Sequence, residues 1–298
     1  MTEYFTEHES AQAVIARLQQ CDDPRFQQIM TSAIHHLHAF VKEVKPSMHE
    51  WRQAIDFLTR TGQMCDDKRQ EWILASDTLG VSMLVETINH PASDGRTEAT
   101  VLGPFHVADA PLLAMGDDIC QDHKGLPCVV SGQILDLDGA PIEGAMLDIW
   151  QTNNDGFYDV QQPDMQPPMN LRGRFLTGAD GRYHFRTIKP ISYPVPTDGP
   201  VGAMLTRMGR HPYRPAHIHF IVTHDSHEPL VTHIFANGDP YLQSDAVFGV
   251  KKNLIVDFQD EDDPQLAAKL CVNTPFCRAR FDVRLAPKPR GEPAKSLT

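Results

Sequence analysis

The chain has no surplus of basic residues, no paired cysteine motif and no apolar run long enough to cross a bilayer. Lys and Arg number 27 against 39 Asp and Glu, for a formal net charge of −12. No cationic patch is therefore available to follow a phosphate backbone, which excludes a nucleic-acid partner and favours a small organic one. The six cysteines (Cys21, Cys65, Cys120, Cys128, Cys271, Cys277) form no C-x-x-C pair. Thinly spread thiols of this kind fit a reducing compartment better than a disulfide framework. The opening MTEYFTEHES carries no apolar signal region, so no membrane insertion is expected and the expected location is cytoplasmic. There is no internal repeat. Aromatic residues are also scarce, with only six tyrosines, so an unusual setting for any one of them stands out.

What is present is ordinary globular material. The 298 residues, 41% hydrophobic and 22% charged, suit one large domain or a domain with an extension. Residues 1–93 read as helical. Asp23 before Pro24 is a start signal, followed by apolar residues at Met30, Ile34, Leu37, Val41 and Val44 in steps of four and three. Ser47 and Glu50 form a capping box ahead of Trp51, Ile55 and Leu58. A third helix is expected from Lys68 to Ile88.

After NHPASDG the pattern changes to short strands over 94–284. CVVSGQILDLDG ends in an Asp138-Gly139 turn, AMLDIWQ reads as a strand, and RGRFLT and RYHFRTI flank Ala179-Asp180-Gly181 as an expected hairpin. HIHFIVTH and LVTHIFA form another pair, and KNLIVDF a late strand. The expected fold is mainly β, an antiparallel sandwich behind an N-terminal helical region. The polar, Pro-rich tail 285–298 is expected to fray.

His217 and His219 occupy alternate positions of one such strand. Side chains at i and i+2 share a face, about 6.5–7 Å apart along the backbone, so both imidazoles can aim at one ion. A zinc hydrolase would add a third His or a Glu, and a ferrous oxygenase a carboxylate. Asp225 and Asp239 sit in turn contexts that capping explains. The helical HHLH (His35, His36, His38) reads as a solvated face. Tyr158, in NNDGFYDVQ, and Tyr193, in PISYPVPTDGP, lie in unusual settings; the prolines around Tyr193 stiffen an extended segment.

Together, LASDTLGVSMLVE, TVLGPFHVADAP, LDIWQTNNDGFYDVQ, the LRGRFLTGADGRYHFRTIKPISYPVPTDGPVG stretch, RPAHIHF and SDAVFGVK resemble the intradiol ring-cleaving dioxygenases, most closely their hydroxyquinol 1,2-dioxygenase branch. The resemblance implies one mononuclear non-haem Fe(III) per chain, held by Tyr158 and His219 in the equatorial plane and by Tyr193 and His217 axially. Phenolates are hard anionic donors suited to ferric iron, whose charge must displace their protons. Arg214 matches a family arginine beside the substrate, suited to stabilising negative charge on the ring. Tyr193 would accept a substrate proton. His233 stands where many relatives carry glutamine and reads as a hydrogen-bonding neighbour of the centre with a catalytic role, not a fifth ligand.

The implied pocket is Leu74, Asp77, Val101, Gly103, Pro104, Phe105, Val195, Pro196, Arg214 and Val247. Asp77 lies between apolar residues on an expected helix, a poor place for an acid without a partner, and could accept the additional hydroxyl that distinguishes hydroxyquinol from catechol. The expected reaction is cleavage of hydroxyquinol by O2 to 3-hydroxy-cis,cis-muconate, the tautomer of maleylacetate. The rival readings are a catechol or chlorocatechol 1,2-dioxygenase and a non-catalytic carrier that kept the fold. The resemblance further implies a homodimer formed through the N-terminal helices, with phospholipid at the interface.

Overall fold

In the computed structural model, residues 5–66 and 69–289 are described. The chain divides into a helical unit ending at Arg60 and a larger unit beginning at Thr61. Helices α1 (Ser10–Ile15), α2 (Pro24–Val44) and α3 (Met48–Gln63) account for the first unit and the start of the second. Their start signals form as expected. Asp23 Oδ1 accepts from the backbone N–H groups of Arg25 and Phe26 at 2.9 and 3.0 Å, satisfying donors that a helix N-terminus otherwise leaves open. Ser47 N donates to Glu50 Oε2 at 2.8 Å, and Glu50 N to Ser47 Oγ at 3.2 Å. The apolar stripe of α2 is not a core stripe, however. Ile34 is buried, while Leu37, Phe40, Val41 and Val44 are exposed.

The expected third helix is broken in two, α4 (Glu71–Thr78) and α5 (Val81–Asn89). Gly80 takes φ +75° between them, a left-handed conformation that ends a helix and that glycine adopts without steric cost. The expected start at Lys68 lies outside the described residues.

Strands β1 (Pro127–Leu135), β2 (Met146–Trp150), β3 (Arg172–Leu176), β4 (Arg182–Ile188) and β5 (Tyr193–Pro194) precede helix α6 (Pro200–Arg207). Then come β6 (Tyr213–Arg214), β7 (His217–His224), β8 (His227–Ala236), β9 (Ile255–Val256), β10 (Gln259–Glu261), helix α7 (Pro264–Leu270), β11 (Phe276–Arg280) and β12 (Val283–Arg284). One sheet runs β10-β11-β1-β12 with β4 also on β1. The other runs β3-β2-β7-β8-β9, and β5 and β6 form a small ribbon. Val130, Ile134 and Phe185 of the first sheet share a core with Ile149, Phe175, Phe220 and Ile234 of the second.

Two strand expectations need correction. RGRFLT and RYHFRTI are not a hairpin: β3 pairs with β2 and β4 with β1, in different sheets. The turn between them exists, with Gly181 at φ +67°. It carries the chain across the sandwich so that Phe175 and Phe185 stack at 5.4 Å in the core. The sandwich is also not wholly antiparallel, because β1 pairs parallel with β11 and β12, and β8 with β9. Long stretches of chain, not tight turns, separate β1 from β11 and β12 and β8 from β9, as parallel pairing requires. KNLIVDF contributes just two strand residues, Ile255 and Val256. The start of the tail is tied down, with Leu285 and Ala286 buried and Leu285 N donating to Leu135 O at 2.9 Å. Residues 290–298 lie outside the described residues. Among those described, no helix is long and apolar enough to cross a membrane.

Candidate metal centre

Strand β7 sorts its side chains by alternation. Ile218, Phe220 and Val222 enter the sandwich core, so His217 and His219 leave from the opposite face of the sheet. Cross-strand register then supplies their neighbours. His219 faces Trp150 on β2 and His233 on β8, and the Trp150 ring stacks on the His219 ring at 4.5 Å. In the β5–β6 ribbon Tyr193 pairs with Arg214, which brings the phenol back over His217.

Tyr158 arrives from a turn built by its own sequence. Asn153 Oδ1 accepts from the N–H groups of Asp155 and Phe157, both at 3.0 Å, and Gly156 takes φ +83°. A Cβ at Gly156 would lie 2.8 Å from Tyr193 Cβ, so glycine lets the two tyrosine segments approach. Beneath the ring, Arg172 lies 5.8 Å from the Tyr158 centroid and pairs with Asp159 at 2.7 Å.

The donor atoms converge. Tyr158 Oη lies 2.8 Å from Tyr193 Oη and 2.8 Å from His219 Nε2, and Tyr193 Oη lies 3.2 Å from His217 Nε2. Adjacent ligands held at about 2.0–2.1 Å from one first-row metal stand about 2.8–3.4 Å apart, the spacing found here. His217 Nδ1 donates to Pro215 O at 2.6 Å, which fixes the tautomer and leaves the Nε2 lone pair between the Tyr193 phenol at 3.2 Å and Arg214 Nη1 at 3.1 Å. His233 also brings a nitrogen within 4.8 Å of its two neighbours, making a three-histidine set a geometric alternative. Its Nδ1 is hydrogen-bonded to Thr100 Oγ1, and its buried Nε2 has no partner. The phenol contacts favour the two-tyrosine, two-histidine set.

Electrostatics agree with metal binding. Burial pushes the Tyr158 phenol well above its ordinary pKa, and Tyr193 adds to the rise; burial raises Tyr193 as well. Neither phenol ionises unaided at neutral pH, so a bound cation is needed to displace the protons. Burial lowers His217, His219 and His233 well below the usual imidazole range, which leaves them neutral with lone pairs available. Burial alone would lower Arg214, but the charge of Asp245 outweighs it and holds the guanidinium cationic, with Tyr193 and Tyr158 adding to the rise when ionised.

A cleft of about 650 Å³ is lined by Leu74, Pro104, Phe105 and Pro196 from the expected pocket. Phe105 stacks on Tyr158 at 4.7 Å, and a Cβ at Gly103 would sit 3.4 Å from the His219 ring. Asp77, Val101, Val195 and Val247 are buried but do not line that cleft. Asp77 is nevertheless close enough to feel the charges of Arg214 and Asp245. Its pKa is raised by burial, with the Ser82 hydrogen bond opposing, and its Oδ1 has no partner. Elsewhere, His35 and His36 are exposed, while His38 Nδ1 meets Ser10 Oγ at 3.0 Å. Asp239 accepts from the N–H groups of Ala216 and Tyr241, the expected capping role.

The chain matches the family described as "Dioxygenase" over residues 102–287 and that described as "Catechol dioxygenase N terminus" over 23–97. It is 58% identical to hydroxyquinol 1,2-dioxygenase of Rhizobium sp. over 267 residues, 90% of each chain. It belongs to the intradiol dioxygenases. It is 51% identical to 6-chlorohydroxyquinol 1,2-dioxygenase of Cupriavidus pinatubonensis, covering 87% of this chain and 94% of that one. Its fold matches the crystal structure of hydroxyquinol 1,2-dioxygenase from Pseudomonas putida DLL-E4 with a TM-score of 0.89 at 45% identity, over 95% and 99% of the two chains. Intradiol dioxygenases use non-haem iron, and the donor set above suits it.

Several residues of this intradiol dioxygenase site were not singled out by motif. Trp150 lies within the expected strand AMLDIWQ and walls His219. Thr100 orients His233 across more than a hundred residues of sequence, and Arg69 and Glu71 line the cleft. Only the strand register of β2 and β7 could have pointed to Trp150; nothing local signals the others.

Proposed function

We propose that this chain is a hydroxyquinol 1,2-dioxygenase that opens the ring between adjacent hydroxyl-bearing carbons and places both atoms of O2 in 3-hydroxy-cis,cis-muconate. The observation that carries this reading is the meeting of Tyr158, Tyr193, His217 and His219 through three short donor contacts, with a buried, half-partnered Asp77 in the same unit. Those four residues would hold one ferric ion per chain. Ferric iron, when bound, supplies the charge that deprotonates and polarises the chelated diol for reaction with O2.

The protein's own groups do the rest. Tyr193, carried on a two-residue strand, takes a substrate proton on Oη. Arg214 offers a buried Nη2 without a partner to negative charge building on the ring. His233, held by Thr100, keeps a free Nε2 at the same place. Asp77 Oδ1 accepts the third hydroxyl, which catechol lacks, while Leu74, Val101, Gly103, Pro104, Phe105, Val195, Pro196 and Val247 form apolar or close-packed walls. The functional division is 1–93 for assembly, 94–284 for catalysis and 285–298 as a tail.

The enzyme pairs with a second copy of itself through the helices, where Leu37, Phe40, Val44, Trp51 and Ile55 stand exposed, a density of apolar surface that a monomer rarely leaves in water. Phospholipid acyl chains occupy part of that interface. All six cysteines are unpaired, as suits a cytoplasmic enzyme.

The test is anaerobic addition of hydroxyquinol, catechol and a chlorocatechol to iron-loaded protein, followed by oxygen. The reading expects a visible-band shift and ring opening, fastest with hydroxyquinol. Faster turnover of catechol or chlorocatechol would reassign the substrate. Colourless protein that retains no iron would favour a carrier.

A further inference from the structure

We propose that Asp245 is a positioning residue that sets Arg214 and the pocket wall together; the inference rests on the dioxygenase reading above. Asp245 is 4% exposed, and its carboxylate is fully engaged. Oδ1 accepts from Arg214 Nε at 3.2 Å and from the N–H of Val247 at 3.3 Å, while Oδ2 accepts from the N–H of Gly249 at 2.9 Å. Phe248, between those amides, is held at φ 59°, so the carboxylate closes a tight turn of converging N–H groups. Arg210 Nη2 anchors the same turn by donating to Ala246 O at 2.9 Å.

The consequence falls on the guanidinium. With Nε tied to Asp245, Arg214 can place Nη1 3.1 Å from His217 Nε2, and its Nη2 remains buried and unpartnered. A Cβ at position 249 would lie 3.0 Å from that Nη2, so glycine keeps the space beside it open. A carboxylate oxygen that binds both the guanidinium and the Val247 amide couples the group opposing developing charge to Val247, which the proposed function assigns to the pocket wall. Asn in place of Asp245 cannot keep all three contacts: with its carbonyl toward Arg214 and Val247 its NH2 opposes the Gly249 N–H, in the other orientation it opposes the Arg214 and Val247 N–H groups, and in both the negative charge facing the guanidinium is gone.

A double-mutant cycle tests the coupling. Asp245→Asn, Arg214→Gln and the double variant are compared with the wild type for kcat and KM on hydroxyquinol, iron content and thermal midpoint. Asp245→Asn is expected to lose about 10²-fold, mostly in kcat, as loss of a preorganised charge stabiliser does. The same change made on Arg214→Gln should cost less than about 3-fold, because its route of action is already gone. Iron content should stay at the wild-type level throughout. Equal losses in both backgrounds, or wild-type kcat in Asp245→Asn, would overturn the proposal. If Asp245→Asn folds poorly, the double variant should melt higher, since it no longer buries an unpaired guanidinium. A double variant no more stable than the single would likewise count against the coupling. Wild-type protein inactive on hydroxyquinol would overturn the functional reading instead, while the melting comparison would still report on the Asp245–Arg214 pair.

Discussion

On β7, Ile218, Phe220 and Val222 point between the two sheets, whereas His217 and His219 point away from them into a second, mostly aromatic cluster with Trp150, Tyr158 and Tyr193. One strand therefore presents a face of pure packing and a face of chemistry. The first face is non-directional, and its residues need only volume and apolarity. The second is directional: the imidazoles must be aimed, His217 by Pro215 O and His219 by the Trp150 ring stacked on it from β2. The rigid inner face fixes the backbone from which the outer face is aimed. Stability and activity should therefore separate along this strand more cleanly than along most.

Tyr158→Phe should give the largest effect on the outer face. It removes a donor without removing bulk, and we expect iron occupancy to collapse and kcat to fall at least about 10³-fold, because ligands act as a unit. Metal analysis and steady-state assay measure both, and the thermal midpoint of iron-free protein should barely move. Phe220→Ala is the mirror experiment. Truncating this buried ring should cost about 3–5 kcal/mol of unfolding free energy, read by urea titration, while protein that remains folded keeps its iron and its substrate preference. If Phe220→Ala lost iron at unchanged stability, the separation of the two faces would fail.

Asp77 sharpens the comparison from the helix side. Asp77→Ala should lower the ratio of kcat/KM for hydroxyquinol to that for catechol at least about tenfold, and an unchanged ratio would remove Asp77 from recognition. Burial raises its carboxyl pKa above 3.8, which fixes the sign of a pH effect. Below the ordinary value Asp77 is protonated in both folded and unfolded chains and costs nothing. As pH rises through the raised folded value, the folded chain must bury the charge and loses stability. Asp77→Asn should thus gain more stability over wild type at pH 8 than at pH 4, measured by denaturant melts. The smallest effect is expected at Asp23→Ala, where loss of a helix cap should cost about 1 kcal/mol and leave kcat on hydroxyquinol unchanged.

Much of this was legible in the sequence where the cause is local. The Asp23 and Ser47 caps depend on side chains within three residues of the N–H groups they satisfy, and the shared face of His217 and His219 follows from strand pleating alone. The expected pair HIHFIVTH and LVTHIFA formed, as β7 and β8. The link from β3 to β4 did not, because a Gly-containing turn has the same local chemistry whether it joins two strands of one sheet or crosses to another. Likewise, Gly80 is tolerable within a helix by pattern, yet it takes φ +75° here and places the ring of Phe248, more than 160 residues away, within 3.4 Å of a Cβ at that position. At the site, the two tyrosines stand out by their turn and proline settings, while their role as ligands is what the family resemblance implies. Thr100, Trp150 and Asp245 act through register and burial, which have no local signature.

The central claim is that two phenolates join two imidazoles on one ferric ion, although a third imidazole stands within reach. Resonance Raman scattering excited in the visible band of iron-loaded protein tests it directly. Tyrosinate ring modes should be enhanced, weakened in Tyr158→Phe and changed when hydroxyquinol is added without oxygen. An iron-loaded protein without tyrosinate modes would mean that His217, His219 and His233 hold the metal alone, and would contradict the account.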